Sequence, residues 1–230
     1  MSIIAIITAR GGSKRIPHKN IKNFMGRPML AYAIDAASKA EIFDEIMVST
    51  DSENIATVAK QYGAKVPFLR SEKTSGDFAT TYDVLEEVLT EYGQRGKVFD
   101  SVCCIYPCVP FLKSETLKRA YAKYNESGAT GILPVCQYPV PVEWAMKINE
   151  GYLEPNDSEA LLIRSQDLEP KYYDAGMFYL CNTEVMLKEK SLLSSKTMAM
   201  VIDELECQDI DTLNDWNMAE IKYKLLQEEV

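Results

Sequence analysis

The chain has 230 residues, of which 47% are hydrophobic, 26% charged and 10% aromatic, the composition of an ordinary globular domain. These values exclude a disordered, collagen-like or coiled-coil protein. No apolar run approaches the ~18 residues of a membrane-spanning helix. The net charge of −9 argues against a general nucleic-acid or anionic-membrane surface. The one histidine, His18, excludes a cluster of histidine metal ligands.

Buried strands and amphipathic helices alternate through the first 136 residues. Short apolar runs predict strands at 3–8, 45–50, 66–69, 101–106 and 130–136. Apolar residues at helical spacing predict four helices: one behind Pro28, one from an Asp51 cap to Gly63, one over 82–92, and one behind a Ser114 cap. The alternation predicts a three-layer α/β fold, with a mostly parallel sheet covered by helices on both faces.

The alternation stops between Tyr138 and Asp174, where four prolines interrupt short extended pieces and residues 149–151 predict a turn. We interpret residues 138–176 as an insertion within a single domain of residues 1–230, carrying either substrate specificity or a subunit contact. Strands at 176–181 and 198–202 and a helix over 212–229 complete the chain. The predicted inner face of that helix is Leu213, Trp216, Ala219, Tyr223 and Leu226.

Cations concentrate near the start of the chain. Residues 1–34 contain no Asp or Glu and six cations, which are Arg10, Lys14, Arg15, Lys19, Lys22 and Arg27. This segment carries +6, and the remaining 19 basic and 34 acidic residues carry −15. A compact positive island on an acidic protein suits a small polyanion such as a triphosphate. A solvated basic face is the alternative interpretation.

The loop over residues 9–20 follows the first predicted strand and contains much of this positive charge. Its adjacent glycines, Gly11 and Gly12, let backbone N–H groups turn toward an anion at the strand end, where α/β sheets bind ligands. The loop matches neither the Gly-x-x-x-x-Gly-Lys pattern of P-loop NTPases nor the Gly-x-Gly-x-x-Gly pattern of dinucleotide-binding proteins. A phosphate site of another type is therefore expected here.

A second candidate site is the acidic pair Asp209 and Asp211. In an extended segment, residues two apart point to the same side, so both carboxylates can converge on one hard cation such as Mg²⁺. The alternative is that Asp211 or Thr212 caps the last helix, with Asp215 completing a capping box. The sequence leaves both interpretations open.

Four segments of the chain resemble those of the CMP-sugar synthetases, which activate nine-carbon acidic sugars. They are Ala9 to Asn20, Phe24-Met-Gly-Arg-Pro-Met29, Ser49-Thr-Asp51 and Asp209-Ile-Asp-Thr212. The likeness runs from residue 5 to residue 216, and the Lys19-Asn20 ending distinguishes the first segment from that of the related Kdo cytidylyltransferases. The resemblance implies a Rossmann-like nucleotide-diphospho-sugar transferase fold, CTP as a substrate and Mg²⁺ as a cofactor.

Other segments resemble one branch of this family. Arg164 to Pro170, Tyr173-Asp-Ala-Gly176, Val66 to Ser71 and Asp77-Phe-Ala-Thr-Thr81 are most similar to the pseudaminic acid cytidylyltransferases. The synthetases for sialic and legionaminic acid tend to carry Asn-Gly where this chain has Asp174-Ala-Gly. They remain the alternative.

The resemblance also implies roles for individual residues. Implied nucleotide-binding residues are Ala9, Arg10, Gly11, Gly12, Ser13, Lys14, Lys19, Asn20, Arg70, Thr80, Tyr106, Pro107 and Cys108. Implied sugar-binding residues are Arg164, Gln166, Tyr173 and Asp174, with ordinary loop packing as their alternative role. Family members usually carry Thr at the position of Cys108, and a thiol is a weaker hydrogen-bonding group than a hydroxyl.

The reaction implied is in-line attack by the anomeric hydroxyl of a nonulosonic acid on the α-phosphorus of CTP, with release of pyrophosphate. Arg10 and Lys14 would stabilise the pyrophosphate, and Asp209 and Asp211 would hold Mg²⁺. Asp211 is also a candidate catalytic residue. A metal-dependent glycosyltransferase and a non-catalytic nucleotide-binding regulator are the rival hypotheses, and only the cytidylyltransferase would release pyrophosphate from CTP.

Location and assembly are further expectations. Six cysteines without a Cys-x-x-Cys pair, and an N-terminal apolar run with no basic residue before it, predict a reduced cytoplasmic protein without a signal peptide. The partners expected are CTP and an acidic nine-carbon sugar, with no nucleic acid or membrane. A homodimer through Tyr138, Trp144 and Tyr152 is expected from the resemblance, and packing of these residues on their own sheet is the alternative.

Overall fold

A seven-stranded sheet forms the centre of the computed structural model, which describes residues 1–228. The strands are β1 (Ile3–Thr8), β2 (Asn23–Phe24), β3 (Arg27–Pro28), β4 (Glu45–Ser49), β5 (Ser101–Ile105), β6 (Gly131–Gln137), β7 (Met146–Asn149), β8 (Tyr152–Pro155), β9 (Tyr172–Asp174), β10 (Phe178–Asn182) and β11 (Thr197–Val201). The helices are α1 (Met29–Ala40), α2 (Glu53–Gln61), α3 (Glu72–Ser75), α4 (Thr81–Gln94), α5 (Ser114–Ser127), α6 (Thr183–Glu189) and α7 (Leu213–Glu228).

The sheet has the strand order β11-β6-β10-β5-β1-β4, and β9 adds to it by pairing with β6. Strand β1 pairs in parallel with both β4 and β5, and β11 pairs in parallel with β6. Strands β9 and β10 run the opposite way, since every pair they form is antiparallel. The predicted mostly parallel α/β sheet is confirmed.

Both faces of the sheet are buried, as the continuous apolar run of β1 predicts. Ile3, Ala5 and Ile7 belong to one core cluster, together with residues of α1, α2 and α5. Ile4 and Ile6 point to the other face and pack with residues of α4 and α6. The alternation along one strand therefore separates two helical layers, and the three-layer prediction is confirmed.

A third core cluster joins the two ends of the chain. Phe24 is fully buried, and its ring lies edge-on to Tyr32, Trp216 and Tyr223 at centroid distances of 5.7, 5.4 and 5.5 Å. Trp216 and Tyr223 come from α7, whereas Phe24 follows the loop over residues 9–20. This cluster therefore fixes the last helix beside the cationic segment.

The predicted strand at 66–69 is wrong. In its place the structure has a single bridge between Lys65 and Met47, with the Lys65 N–H donating to Ile46 O at 2.9 Å. Pro67 has no N–H with which to extend such a ladder. The segment that follows contains the short helix α3.

Two helix caps also differ from the prediction. Ser52, not Asp51, caps α2 by accepting a hydrogen bond from Ile55 N. Asp51 is instead bonded to the loop over residues 9–20. Ser114 is the first residue of α5 rather than its cap, and its hydroxyl donates to the Glu115 carboxylate at 3.0 Å. In both places a neighbouring polar group competes for the side chain that sequence rules assign to the cap.

The last helix is observed from Leu213, and residue 229 of the predicted range lies outside the described residues. Trp216 and Ala219 face the core as predicted, but Leu213 is exposed. The predicted turn at 149–151 connects β7 to β8, and Glu150 and Gly151 both have positive φ there. Within residues 1–228, no helix is both long and apolar enough to cross a membrane.

We expect Phe24→Ala to lower the free energy of unfolding by about 3–5 kcal/mol, because it opens a cavity among three aromatic rings. Phe78→Ala is the matched control, since the Phe78 side chain is 99% exposed, and its effect should stay within about 0.5 kcal/mol. Urea unfolding followed by circular dichroism measures both. Equal losses in the two variants would show that the aromatic cluster does not stabilise the fold.

Candidate active site

Three parallel strands end at one edge of the sheet, and the candidate residues lie in the segments that follow them. The loop over residues 9–20 follows β1, Thr50 and Asp51 follow β4, and residues 106–108 follow β5. Ligands in open α/β sheets bind at this carboxyl edge. The fold therefore brings together three segments that are far apart in the sequence.

Hydrogen bonds from neighbouring segments hold the glycine loop. Ala9 N donates to Ser49 O at 2.9 Å, and Gly11 N donates to the Asp51 carboxylate at 2.7 Å. A Cβ on Gly11 would lie 3.2 Å from Ser52 Cβ, so a side chain here would be tightly packed. A Cβ on Gly12 would meet nothing within 4 Å, so the close packing is confined to Gly11.

Asn20 spans the loop from inside. Its side chain is buried, and its amide donates to Arg10 O at 2.9 Å. Its carbonyl oxygen accepts a hydrogen bond from Cys108 Sγ at 3.3 Å. Burial raises the pKa of the Cys108 thiol to about 12, so the group stays protonated and acts as a donor. Asn20 and Cys108 thus support the loop from behind as well as lying near the cleft.

A cleft of about 360 Å³ opens between this loop and the start of α7. Its lining includes Arg10, Ser13, Lys14, Lys19, Asn20 and Pro107 from the predicted nucleotide-binding set, and Asp211 from the predicted metal pair. Thr8, Arg15 and Ile16 complete it. Four of the six predicted cations, Arg10, Lys14, Arg15 and Lys19, therefore share one concave surface with Asp211. Lys22 lies over the Trp216 ring, and Arg27 pairs with Asp35.

A second cleft, of about 270 Å³, adjoins the first and shares Thr8 and Arg10 with it. It contains the predicted residues Arg70, Thr80 and Tyr106. Arg70 is buried and donates to Ser49 Oγ at 3.0 Å and to Ser49 O at 2.7 Å. The Thr80 hydroxyl belongs to a capping box with Asp83 at the start of α4, so its hydrogen bonds are already used by the helix.

The acidic segment meets the cationic loop through ion pairs. Asp211 lies 2.9 Å from Arg15 and 3.5 Å from Lys19, and Lys19 also donates to Ile210 O. Ile210, which separates the two aspartates in the sequence, is buried in the aromatic cluster. Partial burial of the Asp209 carboxyl group and the negative charge of Asp211 both raise the pKa of Asp209. The residue as a whole is nevertheless exposed. The two carboxylates are therefore electrostatically coupled.

The helix cap at this position uses other residues. The Thr212 hydroxyl accepts from Asp215 N at 3.3 Å, and the Asp215 carboxylate accepts from Thr212 N at 2.7 Å and Asp211 N at 3.1 Å. These are the reciprocal bonds of a capping box. The Asp211 carboxylate therefore takes no part in the cap and faces the cleft.

Two of the predicted sugar-binding residues lie on β9. Asp174 accepts hydrogen bonds from Gly176 N at 2.8 Å and from the Tyr179 hydroxyl. The Tyr179 ring lies edge-on to Tyr106, 5.8 Å away, and Tyr106 lines the second cleft. Tyr173 packs against Tyr138 at 4.9 Å, and its hydroxyl lies 3.9 Å from Cys207 Sγ. Asp174 is thus connected through Tyr179 to Tyr106 of the second cleft.

Arg164 and Gln166 lie apart from these clefts. Arg164 is exposed and pairs with Asp167 at 2.7 Å. Gln166 lines a different cleft, formed by residues 137–141 and 165–171 of the insertion. Of the four predicted sugar-binding residues, Asp174 is connected to the second cleft. Arg164 and Gln166 line neither the first cleft nor the second.

Comparison with known proteins identifies the family. The family model described as Cytidylyltransferase matches residues 4–207, which is most of the chain. The chain belongs to this cytidylyltransferase family. It is therefore an enzyme of the nucleotidyltransferase class.

Individual relatives cover the whole of this cytidylyltransferase. It is 36% identical over 229 residues to a pseudaminic acid cytidylyltransferase of Campylobacter jejuni, covering 99% of both chains. It is 35% identical to a CMP-N,N'-diacetyllegionaminic acid synthase of Legionella pneumophila, again covering 99% of both. A CMP:2-keto-3-deoxy-manno-octonic acid synthetase complexed with CTP has the same fold, with a TM-score of 0.67, 15% identity and coverage of 99% and 100%.

Sequence reasoning misses the roles of two acidic residues that contact the glycine loop. It places Asp51 at a helix cap, although the Asp51 carboxylate holds Gly11 N. Asp77 pairs with Arg10 at 3.0 Å and with Lys14. The charge pattern offered a signal, because a concentrated group of cations on an acidic protein requires carboxylate partners from elsewhere in the chain.

The capping box and the ion pairs lead to different mutational effects. Asp215→Ala should cost this cytidylyltransferase about 1 kcal/mol of stability through the lost cap. Asp211→Ala should cost less, about 0–1 kcal/mol, because its ion pairs are exposed. Thermal unfolding of the two variants beside the wild type measures the difference. A larger loss for Asp211→Ala would mean that its carboxylate, not that of Asp215, stabilises the start of α7.

Proposed function

We propose that this cytidylyltransferase joins CTP to a nonulosonic acid, namely pseudaminic acid, to give the CMP-sugar and pyrophosphate. The observation that carries this proposal is the single cleft in which Arg10, Lys14 and Lys19 face Asp211. Cations on one side suit phosphates, and a carboxylate on the other suits a metal-bridged phosphate. The full-length likeness to a pseudaminic acid cytidylyltransferase supports the sugar assignment.

The triphosphate would bind along the glycine loop. The Gly12 N–H and the Ser13 hydroxyl would bond the phosphate oxygens, and Gly11, whose own N–H donates to Asp51, would shape the loop around them. Arg10 and Lys14 would balance the phosphate charge. The base and ribose would occupy the second cleft beside Arg70 and Tyr106, since the two clefts meet at Thr8 and Arg10. Ala9, Lys19, Asn20, Thr80, Pro107 and Cys108 would complete the nucleotide site.

The acidic pair has the chemistry of a Mg²⁺ site. Two adjacent carboxylates are hard oxygen donors, and Mg²⁺ is usually held by one or two carboxylates together with substrate phosphates. Burial and the charge of Asp211 raise the pKa of Asp209, and a bound cation would favour the ionised form of this carboxyl group. Asp209 and Asp211 would hold the ion, and it would stabilise negative charge on the phosphate oxygens during transfer.

The protein's own residues would act by positioning and by charge. The anomeric hydroxyl of the sugar attacks the α-phosphorus in line, the new P–O bond forms, and the bond to the β-phosphate oxygen breaks. Arg10 and Lys14 stabilise the negative charge that collects on the departing pyrophosphate. Asp211 lies on the opposite wall of the cleft, where it is a candidate acceptor for the proton of the sugar hydroxyl.

Specificity for the sugar would come from the insertion and the strand that returns from it. Tyr173 and Asp174 of β9, with Arg164 and Gln166, are the proposed sugar contacts. We treat the chain as one nucleotidyltransferase domain with an insertion over 138–176, because β9 of that insertion pairs with β6 of the central sheet. The legionaminic acid synthase at 35% identity makes CMP-legionaminic acid the second candidate product.

The test is pyrophosphate release from CTP in the presence of Mg²⁺ and a panel of pseudaminic, legionaminic and sialic acids. Lys14→Met and Asp211→Ala should each reduce kcat/KM by at least about 100-fold, a loss of about 2.7 kcal/mol of transition-state stabilisation. Lys190→Met is the matched control for Lys14, since it removes an exposed lysine at the end of α6.

The outcomes separate the parts of the proposal. Turnover with legionaminic but not pseudaminic acid would replace the sugar and keep the reaction. Normal kinetics for Lys14→Met would show that the triphosphate does not bind at the glycine loop. Normal turnover for Asp211→Ala would reject its metal and catalytic roles.

We also infer a cytoplasmic homodimer that uses the insertion as its contact. The hairpin of β7 and β8 carries exposed Ile148, Tyr152 and Leu153, whose relative exposures are 77%, 77% and 67%. Apolar side chains grouped in this way are typical of a subunit interface. Trp144 packs within the insertion instead, because its indole N–H donates to Ala160 O at 3.1 Å. Six free thiols suit a reducing compartment.

Ile148→Asp should convert the dimer to a monomer, because it places a charge in an apolar contact. Light scattering of the purified protein measures the mass directly. Val98→Asp is the control, since Val98 is also highly exposed but lies outside the insertion. A monomeric wild type would reject the dimer, and an unchanged mass for Ile148→Asp would place the contact elsewhere.

A further inference from the structure

Asp77 occupies the position of an anion between the two cations assigned to the phosphates. Its Oδ1 accepts from Arg10 at 3.0 Å, and its Oδ2 accepts from Lys14. Arg10 also lies 3.5 Å from Gly76 O. The two cations hold the pKa of Asp77 below its ordinary value, so the carboxylate is ionised at neutral pH. Arg10 and Lys14 are therefore already paired with an internal anion.

The segment that carries Asp77 lies between two fixed points. Before it, Glu87 of α4 accepts hydrogen bonds from Ser71 N at 2.8 Å, from the Ser71 hydroxyl at 2.6 Å and from the Thr74 hydroxyl. After it, Thr80 is held by the capping box of α4. Only residues 75–79 lie between these anchors, so a shift of Asp77 leaves α3 and α4 in place.

The tip of this segment makes little contact with the fold. Phe78 is 99% exposed beside Asp77, and the turn is closed by a long hydrogen bond, 3.4 Å from Ala79 N to Gly76 O. The Asp77 and Lys14 side chains are themselves 46% and 74% exposed. Exposed ion pairs of this kind are weak, so a more highly charged anion can displace the carboxylate.

We propose that Asp77 competes with the β- and γ-phosphates for Arg10 and Lys14, and that its return to these cations promotes pyrophosphate release. This inference rests on the proposed function, which places the phosphates on the same two side chains. A triphosphate or pyrophosphate displaces the Asp77 carboxylate. After transfer, Asp77 pairs with the cations again and lowers the affinity of the site for the leaving group.

The competition gives Asp77 a selective effect on ligands. Ligands that reach Arg10 and Lys14 must displace the carboxylate, so their affinity is reduced. The phosphate of a CMP-sugar is the former α-phosphate, which lies at the bond being made rather than among the leaving phosphates. Asp77 also lines the second cleft, but CMP brings no β- or γ-phosphate to Arg10 and Lys14. Asp77 should therefore weaken the binding of CTP and pyrophosphate much more than that of CMP.

The experiment compares Asp77→Asn with Glu72→Gln. Glu72 is an exposed carboxylate on α3 that forms no ion pair within residues 1–228, so its variant removes the same charge from the same region. Isothermal titration gives the Kd for inorganic pyrophosphate and for CMP, and steady-state assays give the inhibition constant of pyrophosphate. Asp77→Ala serves as a second variant, and melting curves verify that all variants fold.

We expect Asp77→Asn and Asp77→Ala to bind pyrophosphate about two- to tenfold more tightly than the wild type, the range for losing two exposed ion pairs. The inhibition constant of pyrophosphate should fall by the same factor, and the Kd for CMP should change by less than about twofold. The effect should shrink at high salt, because exposed pairs are screened. In a Lys14→Met background it should be smaller, since one of the two cations is absent.

Each contrary result has a distinct meaning. Absence of pyrophosphate binding to the wild type, or equal binding to Lys14→Met, would reject the proposed phosphate site itself. Loss of binding in Lys14→Met, together with wild-type affinity in both Asp77 variants, would reject only the competition. Weaker pyrophosphate binding in Asp77→Asn would make Asp77 a binding group and overturn the inference. An equal gain in pyrophosphate affinity in Glu72→Gln would show that removing any negative charge from this region has the same effect, and it would reject a specific role for Asp77.

Discussion

Burial of Ile16 and Ile210 in the same aromatic cluster is the contact on which the site depends. Ile16 belongs to the glycine loop, and Ile210 separates the two aspartates near the end of the chain. Because both side chains are removed from water beside Phe24, the polar residues next to them are forced to face each other across the cleft. Lys19 reinforces this arrangement through its bond to Ile210 O and its pair with Asp211.

Carboxylates from elsewhere in the chain balance the charge of the cationic loop. Asp77 balances Arg10 and Lys14, and Asp211 balances Arg15 and Lys19. These pairs are exposed or half-exposed, so each contributes little to folding. Their weakness suits the proposed binding site, because phosphates and a divalent cation would be able to replace the carboxylate–cation contacts without disturbing the buried cluster beneath them.

The backbone of the glycine loop is fixed by polar side chains around it rather than by the glycines alone. Asp51 accepts from Gly11 N, and Asn20 donates to Arg10 O. Glycine lets the loop approach Ser52 closely, but these hydrogen bonds select one conformation from those that glycine permits. At the proposed phosphate site, a substrate phosphate would therefore meet a loop that is already largely arranged, which would reduce the entropy lost on binding.

Local pattern in the sequence determined the fold class, the two buried faces of the sheet, the cationic loop, the acidic pair and the family. It could do so because burial follows periodicity along single elements such as β1, and because phosphate and metal chemistry requires particular residue types in short segments. Local pattern failed at Asp51 and Ser114, where several partners compete for one side chain. It also failed at residues 66–69, whose side chains favour a strand but whose backbone forms no hydrogen-bonded ladder with a neighbouring strand.

Only the tertiary structure decided which carboxylate does what. Asp211 and Thr212 were both candidates for the cap of the last helix in the sequence. The fold gives the cap to Thr212, with Asp215 as its capping-box partner, and pairs Asp211 with Arg15 and Lys19. Asp77 lies more than 60 residues from Arg10 in the chain, so no local pattern could pair them. Long-range ion pairs depend on where strands end in the sheet, and strand order is a property of the whole chain.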